Sequence, residues 1–378
     1  MQTYAQTPAP ARVPEEAVVD LRERLARRRR VDLPAGLEPR HGVDAAWLER
    51  LLARWADGYD WRLHEQRILD LPWELVDGPT PLRVVRRRGA PDAPVVVLLH
   101  GWPDSVLRFE KVLPLLGDAT VVVPALPGYP FSASSAAGGM SGVEMSDVVA
   151  AALAAMGHER YVVSGGDIGA GVAEALLRRH GQAVSAVHLT DVPQTHLAAE
   201  LPDDLTDEEL AYADRREQWQ AAEGGYAHEH ATKPGTLAVA LGDSPAGLLA
   251  WIGEKLWSWS DRSVEGGMEA VFSDDDVLTW VSAYWFTGTI GTSFGPYALR
   301  EPSTNERVEA AVPAVLSIFP GDLANAPRSF AERLFGVRAF HQHSSGGHFA
   351  AWERPAEFAA DLREAIALGS SGAAASEA

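Results

Sequence analysis

The sequence contains no cysteine among its 378 residues. This absence excludes disulfide bonds, a thiolate nucleophile and metal sites with cysteine ligands. Basic residues are also few relative to acidic ones, with 33 Lys and Arg against 52 Asp and Glu and a formal net charge of −19. Proteins that bind nucleic acid or anionic membrane surfaces through phosphate contacts are usually basic, so the composition disfavours both roles.

Long apolar runs are absent as well. No stretch reaches the roughly 18 apolar residues that predict a transmembrane helix, and the segment Met1–Pro8 lacks the basic and apolar regions of a signal peptide. We therefore expect a soluble, cytoplasmic protein. Hydrophobic residues make up 46% and charged residues 22% of the chain, as in an ordinary globular protein. At roughly 150 residues per domain, the length suits either two domains or one large domain with an insertion.

The hydrophobic pattern predicts an α/β fold with a mainly parallel central sheet flanked by helices. Short continuous apolar runs, typical of strands buried on both faces, alternate with helical stretches. The runs lie at residues 94–100, 120–124, 161–164, 184–189, 312–319 and 336–341. Residues 196–300 are mostly helical in pattern and rich in tryptophan, so we expect a helical insertion there. A last helix is predicted over 355–368, followed by a disordered tail over 369–378.

The segment Gly165-Gly-Asp167-Ile168-Gly169 follows the third apolar run and precedes a helical stretch. A nucleophile flanked by small residues between a strand and a helix is the pattern of a nucleophile elbow. Asp167 stands at the nucleophile position, and a carboxylate can attack without prior proton removal and form an ester. The alternative interpretation is that Asp167 is only the N-cap of the following helix.

Two further motifs suggest partners for Asp167. His100-Gly-Trp102-Pro103 ends the first apolar run, where a backbone N–H of Trp102 could form an oxyanion hole with that of Ile168. An ordinary strand-end turn is the alternative. His348 lies in Gly346-Gly-His-Phe, whose glycines allow close approach to the elbow, so it is the predicted general base; His341 and His343 are competitors.

An acid that orients the base is predicted at Asp322. It follows the apolar run 312–319 and precedes His348, in the chain order nucleophile, acid, base. Asp191, which follows the run 184–189, is the rival position. Either aspartate could instead serve only to form a turn.

Taken together, these motifs resemble the epoxide hydrolases of the α/β-hydrolase superfamily, in the branch of the microsomal and bacterial enzymes. The similarity covers about residues 12–368 and includes Leu126-Pro-Gly-Tyr129, Thr232-Lys-Pro234, Tyr284-Trp285, Thr287-Gly-Thr-Ile290 and Gly346-Gly-His-Phe-Ala-Ala-Trp-Glu353. The departures are Ile168, Asp104 and Pro130, which stand where Trp, Gly and Gly are usual. None of them removes a catalytic group, although Ile168 could change the shape of the pocket.

The resemblance implies a domain organisation and two further site residues. An N-terminal region, residues 1–90, would wrap the core and the lid; 91–195 and 301–368 would form the core, and 196–300 the lid. Two lid tyrosines, Tyr226 and Tyr297, would hydrogen-bond the epoxide oxygen. Trp102 and Ile168 would contact the substrate as well as supply the oxyanion hole.

The function implied is hydrolysis of an apolar epoxide to a vicinal diol through an aspartyl ester. No metal or organic cofactor is expected. The expected partner is a small epoxide, neither nucleic acid nor membrane is expected, and a homodimer is left open. A role in natural-product biosynthesis and a broad detoxifying role are both compatible with the motifs. The alternatives are a dehalogenase with the same nucleophile, which would lack the tyrosine pair, and a non-catalytic binding protein, which would have lost Asp167 or His348.

Overall fold

The computed structural model describes residues 7–32, 42–133, 139–198, 201–301, 306–308 and 311–376. Within these residues eight strands form one sheet in the order β1-β2-β4-β3-β5-β6-β7-β8. The strands are β1 (Trp73–Val76), β2 (Leu82–Arg87), β3 (Val95–Leu99), β4 (Thr120–Pro124), β5 (Tyr161–Gly165), β6 (Val184–Leu189), β7 (Pro313–Ile318) and β8 (Gly336–Gln342).

The six predicted strands, β3 to β8, run parallel to one another. The apolar runs reflect burial of the strands, as expected: β4 and β5 are buried along their whole length. The α/β fold class predicted from the sequence is confirmed.

Two antiparallel strands at one edge were not predicted from the pattern. β1 pairs with β2, and β2 pairs with β4. Arginines interrupt the apolar pattern of β2, but Arg83 is buried and its Nη1 donates to the carbonyl of Phe131 at 2.8 Å. Residues before position 91 therefore contribute to the core sheet as well as to the N-terminal helices.

Helices cover the sheet and extend beyond it. The N-terminal helices are α1 (Glu15–Ala26), α2 (Ala45–Ala56) and α3 (Trp61–Leu69), and the helices of the core are α4 (Gly142–Ala155), α5 (Ile168–His180), α13 (Arg328–Leu334), α14 (Ala350–Glu353) and α15 (Pro355–Ser376). The end of α15 corrects the sequence prediction, because the helix continues past Leu368 to Ser376. Helix-favouring alanines and hydroxyl bonds from Ser370 and Ser371 to the carbonyls one turn earlier accompany this extension.

The lid lies between β6 and β7, as the helical pattern of 196–300 predicts. It consists of α6 (Asp207–Glu223), α7 (Gly225–Thr232), α8 (Pro234–Asp243), α9 (Pro245–Trp259), α10 (Met268–Val271), α11 (Asp274–Thr287) and α12 (Gly295–Ala298). Buried hydrogen bonds join the lid to the N-terminal region: Trp55 Nε1 donates to Ser282 Oγ at 3.0 Å, and the hydroxyls of Tyr59 and Thr279 are 3.0 Å apart. These contacts hold α11 against the N-terminal helices.

No single helix of the described segments is both long enough and apolar enough to cross a membrane. Within the described ranges, one pair of helices, α8 and α9, passes by length and composition when taken together, and the chain bends by 114° between them.

Candidate active site

Asp167 lies in the sharp turn between β5 and α5. Its backbone has φ 57° and ψ −130°, an unfavourable conformation for a residue with a side chain. Small neighbours are required here, since a Cβ at Gly165 would collide with the carbonyl of Gly169, and a Cβ at Gly169 would collide with the carbonyl of Leu99. The strained turn projects the carboxylate into the site instead of along the helix.

The two carboxylate oxygens of Asp167 face different partners. Oδ1 accepts a hydrogen bond of 2.8 Å from the backbone N–H of Trp102, and Oδ2 lies 3.5 Å from Nε2 of His348. The side chain makes no capping hydrogen bond to α5, which rules out the N-cap interpretation. Ile168 is the first residue of α5, where backbone N–H groups have no helical partner.

His348 is buried between two aspartates. Its Nδ1 is 2.7 Å from Oδ1 of Asp322, and its Nε2 has no hydrogen-bond partner among the described residues. The loop before it is fixed by Gly346, which has φ 111° and donates its N–H to Asp261 Oδ2 at 2.7 Å. The free Nε2 can therefore bind a water molecule or a reacting group beside Asp167.

The residues that were alternatives for the base and the acid make other contacts. His341 pairs with Glu364 and His343 with Asp361, each at 2.7 Å. Asp191 lies in the site, but its Oδ1 accepts the backbone N–H of Asp167 at 3.0 Å. The structure thus brings Asp322 to the imidazole and assigns Asp191 to the support of the elbow.

The carboxylates control the protonation of the imidazole. Burial alone would lower the pKa of His348, but the charges of Asp322 and Asp167 outweigh burial and raise the pKa to about 10. Burial would raise the pKa of Asp322, but the facing imidazolium holds it below its ordinary value. Burial and the nearby charge of Asp322 raise the pKa of Asp191 to about 7, although the charge of His348 acts in the opposite direction.

Two lid tyrosines line the same cavity as Asp167. Tyr226 on α7 and Tyr297 on α12 have ring centroids 5.9 Å apart, and the indole of Trp102 stacks on Tyr226 at 5.3 Å. The hydroxyl of Tyr297 is buried without a hydrogen-bond partner in the described part of the chain. Burial raises the pKa of both phenols, and the charge of Asp167 raises them further, so both remain proton donors at neutral pH.

One cavity of about 450 Å³ joins these groups. Its lining includes most of the residues that the sequence predicts: Asp167, Ile168, Tyr226, Tyr297, Asp322 and His348. The Trp102 side chain is fully buried and supports Tyr226, while its backbone N–H reaches Asp167. The arrangement places a carboxylate, an imidazole paired with a second carboxylate, two phenol side chains and a backbone N–H donor around one cavity.

The comparisons with known proteins agree with this arrangement. The family model "Epoxide hydrolase N terminus" matches residues 6–109, and the model "alpha/beta hydrolase fold" matches residues 94–241. A relative from Stigmatella aurantiaca, described as "Putative epoxide hydrolase", is 32% identical over 372 residues, which cover 95% of this chain and 84% of the relative. The chain belongs to the epoxide hydrolase family.

This epoxide hydrolase is also similar to solved structures of epoxide hydrolases. The Aspergillus niger epoxide hydrolase has a TM-score of 0.84 and 29% identity, covering 96% of each chain. The juvenile hormone epoxide hydrolase of Bombyx mori has a TM-score of 0.83 and 27% identity, covering 97% of this chain and 95% of its own. The family membership expected from the motifs is confirmed.

A buried ion pair in this epoxide hydrolase was not predicted from the sequence. Asp104 Oδ2 binds Arg108 Nη1 at 2.6 Å, Asp104 Oδ1 accepts the N–H of Gly101 at 2.7 Å, and Arg108 Nη2 donates to the carbonyl of His348 at 2.6 Å. The pair therefore connects the Trp102 loop with the His348 loop. The spacing of four residues between Asp104 and Arg108 was the sequence signal that could have indicated this ion pair. The motifs identified Asp104 only as a departure from the family pattern.

Proposed function

We propose that this enzyme hydrolyses an apolar epoxide to a vicinal diol through a covalent ester on Asp167. The observation that carries the proposal is the convergence of the Asp167 carboxylate, the free Nε2 of His348 and the Tyr297 hydroxyl on one cavity. The apolar part of the substrate would lie against lining side chains such as Ile168, Trp219 and Leu323.

In the first step, Oδ2 of Asp167 attacks an epoxide carbon and the carbon–oxygen bond of the ring breaks. Oδ1 remains on the N–H of Trp102, so the carboxylate is held with one oxygen free to react. Tyr226 and Tyr297 hydrogen-bond the epoxide oxygen and donate a proton to it, because an unassisted alkoxide is a poor leaving group. The products of this step are a hydroxyalkyl ester of Asp167 and a tyrosinate, and the tyrosinate regains its proton from the imidazolium of His348, whose pKa falls when the charge of Asp167 is lost.

In the second step, His348 removes a proton from water, and the water attacks the ester carbonyl. Ester formation removes the charge of Asp167, one of the two charges that raise the pKa of His348. The pKa of His348 is therefore lower in the ester than in the free enzyme, and the neutral imidazole that acts as a base becomes available when it is needed. Asp322 stabilises the imidazolium that forms.

The developing charge in the second step falls on Oδ1 of Asp167. The backbone N–H of Trp102 already donates to this atom, and the N–H of Ile168 at the start of α5 is the second donor of the proposed oxyanion hole. When the ester breaks, Oδ2 leaves with the diol and takes a proton from the imidazolium of His348, the oxygen of water stays in the carboxyl group, and the proton of that carboxyl group returns to His348.

The activity is tested by incubating the purified enzyme with styrene oxide and related racemic epoxides. We expect diol formation with an enantiomeric excess, measured by chiral chromatography, and no diol above background from Asp167→Ala. Absence of diol from every epoxide of the set, with correctly folded enzyme, would contradict the proposed function.

A further inference from the structure

Four arginines line the active-site cavity, although the proposed reaction uses none of them. They are Arg178, Arg179, Arg216 and Arg300. Arg216 is half-buried and the other three are exposed, so they mark the solvent side of the cavity, whereas Asp322 and His348 lie at its buried end. In a chain with a net charge of −19, a local group of cations beside the site requires an explanation.

Two of these arginines are already neutralised by carboxylates. Arg178 Nε binds Glu174 at 2.8 Å, and Arg179 binds Asp147 at 2.8 Å. Glu174, which also lines the cavity, is bound in addition by His196 at 2.8 Å. Arg178, Arg179 and Glu174 are therefore already paired within the protein.

Arg216 on α6 and Arg300 after α12 are different. Neither forms an ion pair within the described residues, and the buried Nε of Arg216 has no hydrogen-bond partner there. Two acidic groups are nearby: Glu217, the sequence neighbour of Arg216, and Glu301, which lines the cavity. Both are exposed, and within the described residues neither forms an ion pair with Arg216 or Arg300, although the charge of Glu217 acts on Arg216.

Arg216 and Arg300 line the same cavity. Burial lowers the pKa of Arg216; the charge of Arg300 acts in the same direction, and Tyr212 and Glu217 act against it. An anion in the cavity would offset the like charges of the two arginines, because guanidinium groups bind carboxylate and phosphate oxygens with paired hydrogen bonds. Trp219, one turn after Arg216 on α6, also lines the cavity and offers an apolar surface on the way to Asp167.

We propose that the substrate of this enzyme is an epoxide with an apolar body and an anionic end, a carboxylate or a phosphate, which Arg216 and Arg300 bind while the epoxide contacts Asp167. This inference rests on the proposed function. The cavity of about 450 Å³ is of the size that holds a small organic molecule.

The test compares matched substrates that differ only in charge. ω-Epoxyalkanoates of increasing chain length are assayed against their methyl esters, and phosphate monoesters of epoxy alcohols of equal length form a separate arm that distinguishes phosphate from carboxylate. We expect kcat/KM for the preferred anion to exceed that of the neutral partner by about tenfold or more, mainly through KM. Raising NaCl from about 0.05 to 0.5 M should raise KM for the anion and leave KM for the ester nearly unchanged.

Arginine substitutions test which residues cause the preference for the anionic substrate. Arg216→Gln and Arg300→Gln should each lower the ratio of kcat/KM between anion and ester, and the double variant should bring it close to one. Arg215→Gln is the matched control: Arg215 is the exposed neighbour of Arg216, it forms no ion pair within the described residues and donates there to the carbonyl of Asn325 at 3.5 Å, and it does not line the cavity. Its substitution should leave the ratio unchanged, and thermal unfolding midpoints show that all variants fold.

The outcomes separate this inference from the proposed function. If the parent hydrolyses esters and anions equally well, or if Arg215→Gln lowers the ratio as much as Arg216→Gln does, the anion site is refuted and the epoxide hydrolase mechanism stands. If no epoxide of either charge is hydrolysed, the proposed function fails as well.

Discussion

Replacing His348 by glutamine should give an enzyme that reacts once with an epoxide and then stops. Asp167 and both tyrosines remain, so the ester still forms, but no base activates the water that hydrolyses it. General-base catalysis is typically worth 10²–10⁴-fold, and we expect hydrolysis of the ester to slow by about that factor. Intact-protein mass spectrometry should show a mass increase equal to that of the substrate, located by peptide mapping on Asp167.

Two aspartate variants serve as controls for this result. Asp322→Asn should slow the same step by about 10²–10⁴-fold, because the negative charge that stabilises the imidazolium is lost. Asp191→Asn should have a much smaller effect, since Asp191 binds the backbone of Asp167 and not His348, and an amide oxygen can still accept that hydrogen bond. A larger effect at Asp191, or normal turnover by His348→Gln, would show that the acid or the base lies elsewhere.

The same step should depend on pH in a defined direction. Hydrolysis of the ester requires neutral His348, so its rate should rise with pH through the pKa of His348 in the ester, which lies below the value of about 10 in the free enzyme.

Removing both lid hydroxyls should nearly abolish alkylation while leaving the fold intact. An alkoxide is far more basic than a tyrosinate, so the departing oxygen needs a proton or a strong hydrogen bond. General-acid assistance of 10²–10⁴-fold corresponds to roughly 3–5 kcal/mol in the barrier. Because Tyr226 and Tyr297 serve one oxygen, each single change to phenylalanine should cost less than the double change. The measurement is the pre-steady-state rate of alkylation.

Tyr212→Phe is the matched control for the tyrosine pair. Tyr212 is another buried lid tyrosine whose hydroxyl has no hydrogen-bond partner in the described segments, but it packs on Phe330 and does not line the cavity. Its alkylation rate should equal that of the parent. An unchanged rate in the double variant, or efficient halide release from haloalkanes by the parent, would favour a dehalogenase, because a halide leaves without a proton.

The parallel part of the fold could be predicted because its strands are buried on both faces and read as continuous apolar runs. β2 could not be predicted in this way, because its arginines interrupt the apolar pattern. Arg83 is nevertheless buried, since its guanidinium group donates to a backbone carbonyl. The helical end of α15 was missed because glycine and serine in that segment are poor helix formers and outweighed its alanines in the prediction.

The candidate site was partly predictable for a topological reason. The elbow and the loops after β6 and β7 all lie at the carboxyl edge of one parallel sheet, so the sequence could place Asp167, Asp191 and Asp322 near each other. It favoured Asp322 but left Asp191 as a rival, because β6 and β7 are neighbours and only the loop conformations decide which aspartate reaches His348. The tyrosines came from the family resemblance alone. The placement of Arg216 and Arg300 in one cavity depends on how the helices of the lid pack, which the sequence pattern does not show.

A single turnover in water enriched in oxygen-18, with enzyme in excess over epoxide, tests the covalent mechanism most directly. If Asp167 is the nucleophile, the diol of the first turnover receives an unlabelled oxygen from the carboxylate. The label then enters the side chain of Asp167 and is found in the peptide that contains it. Solvent label in the first-turnover diol, with none in Asp167, would mean that water attacks the epoxide directly and would contradict the proposed ester.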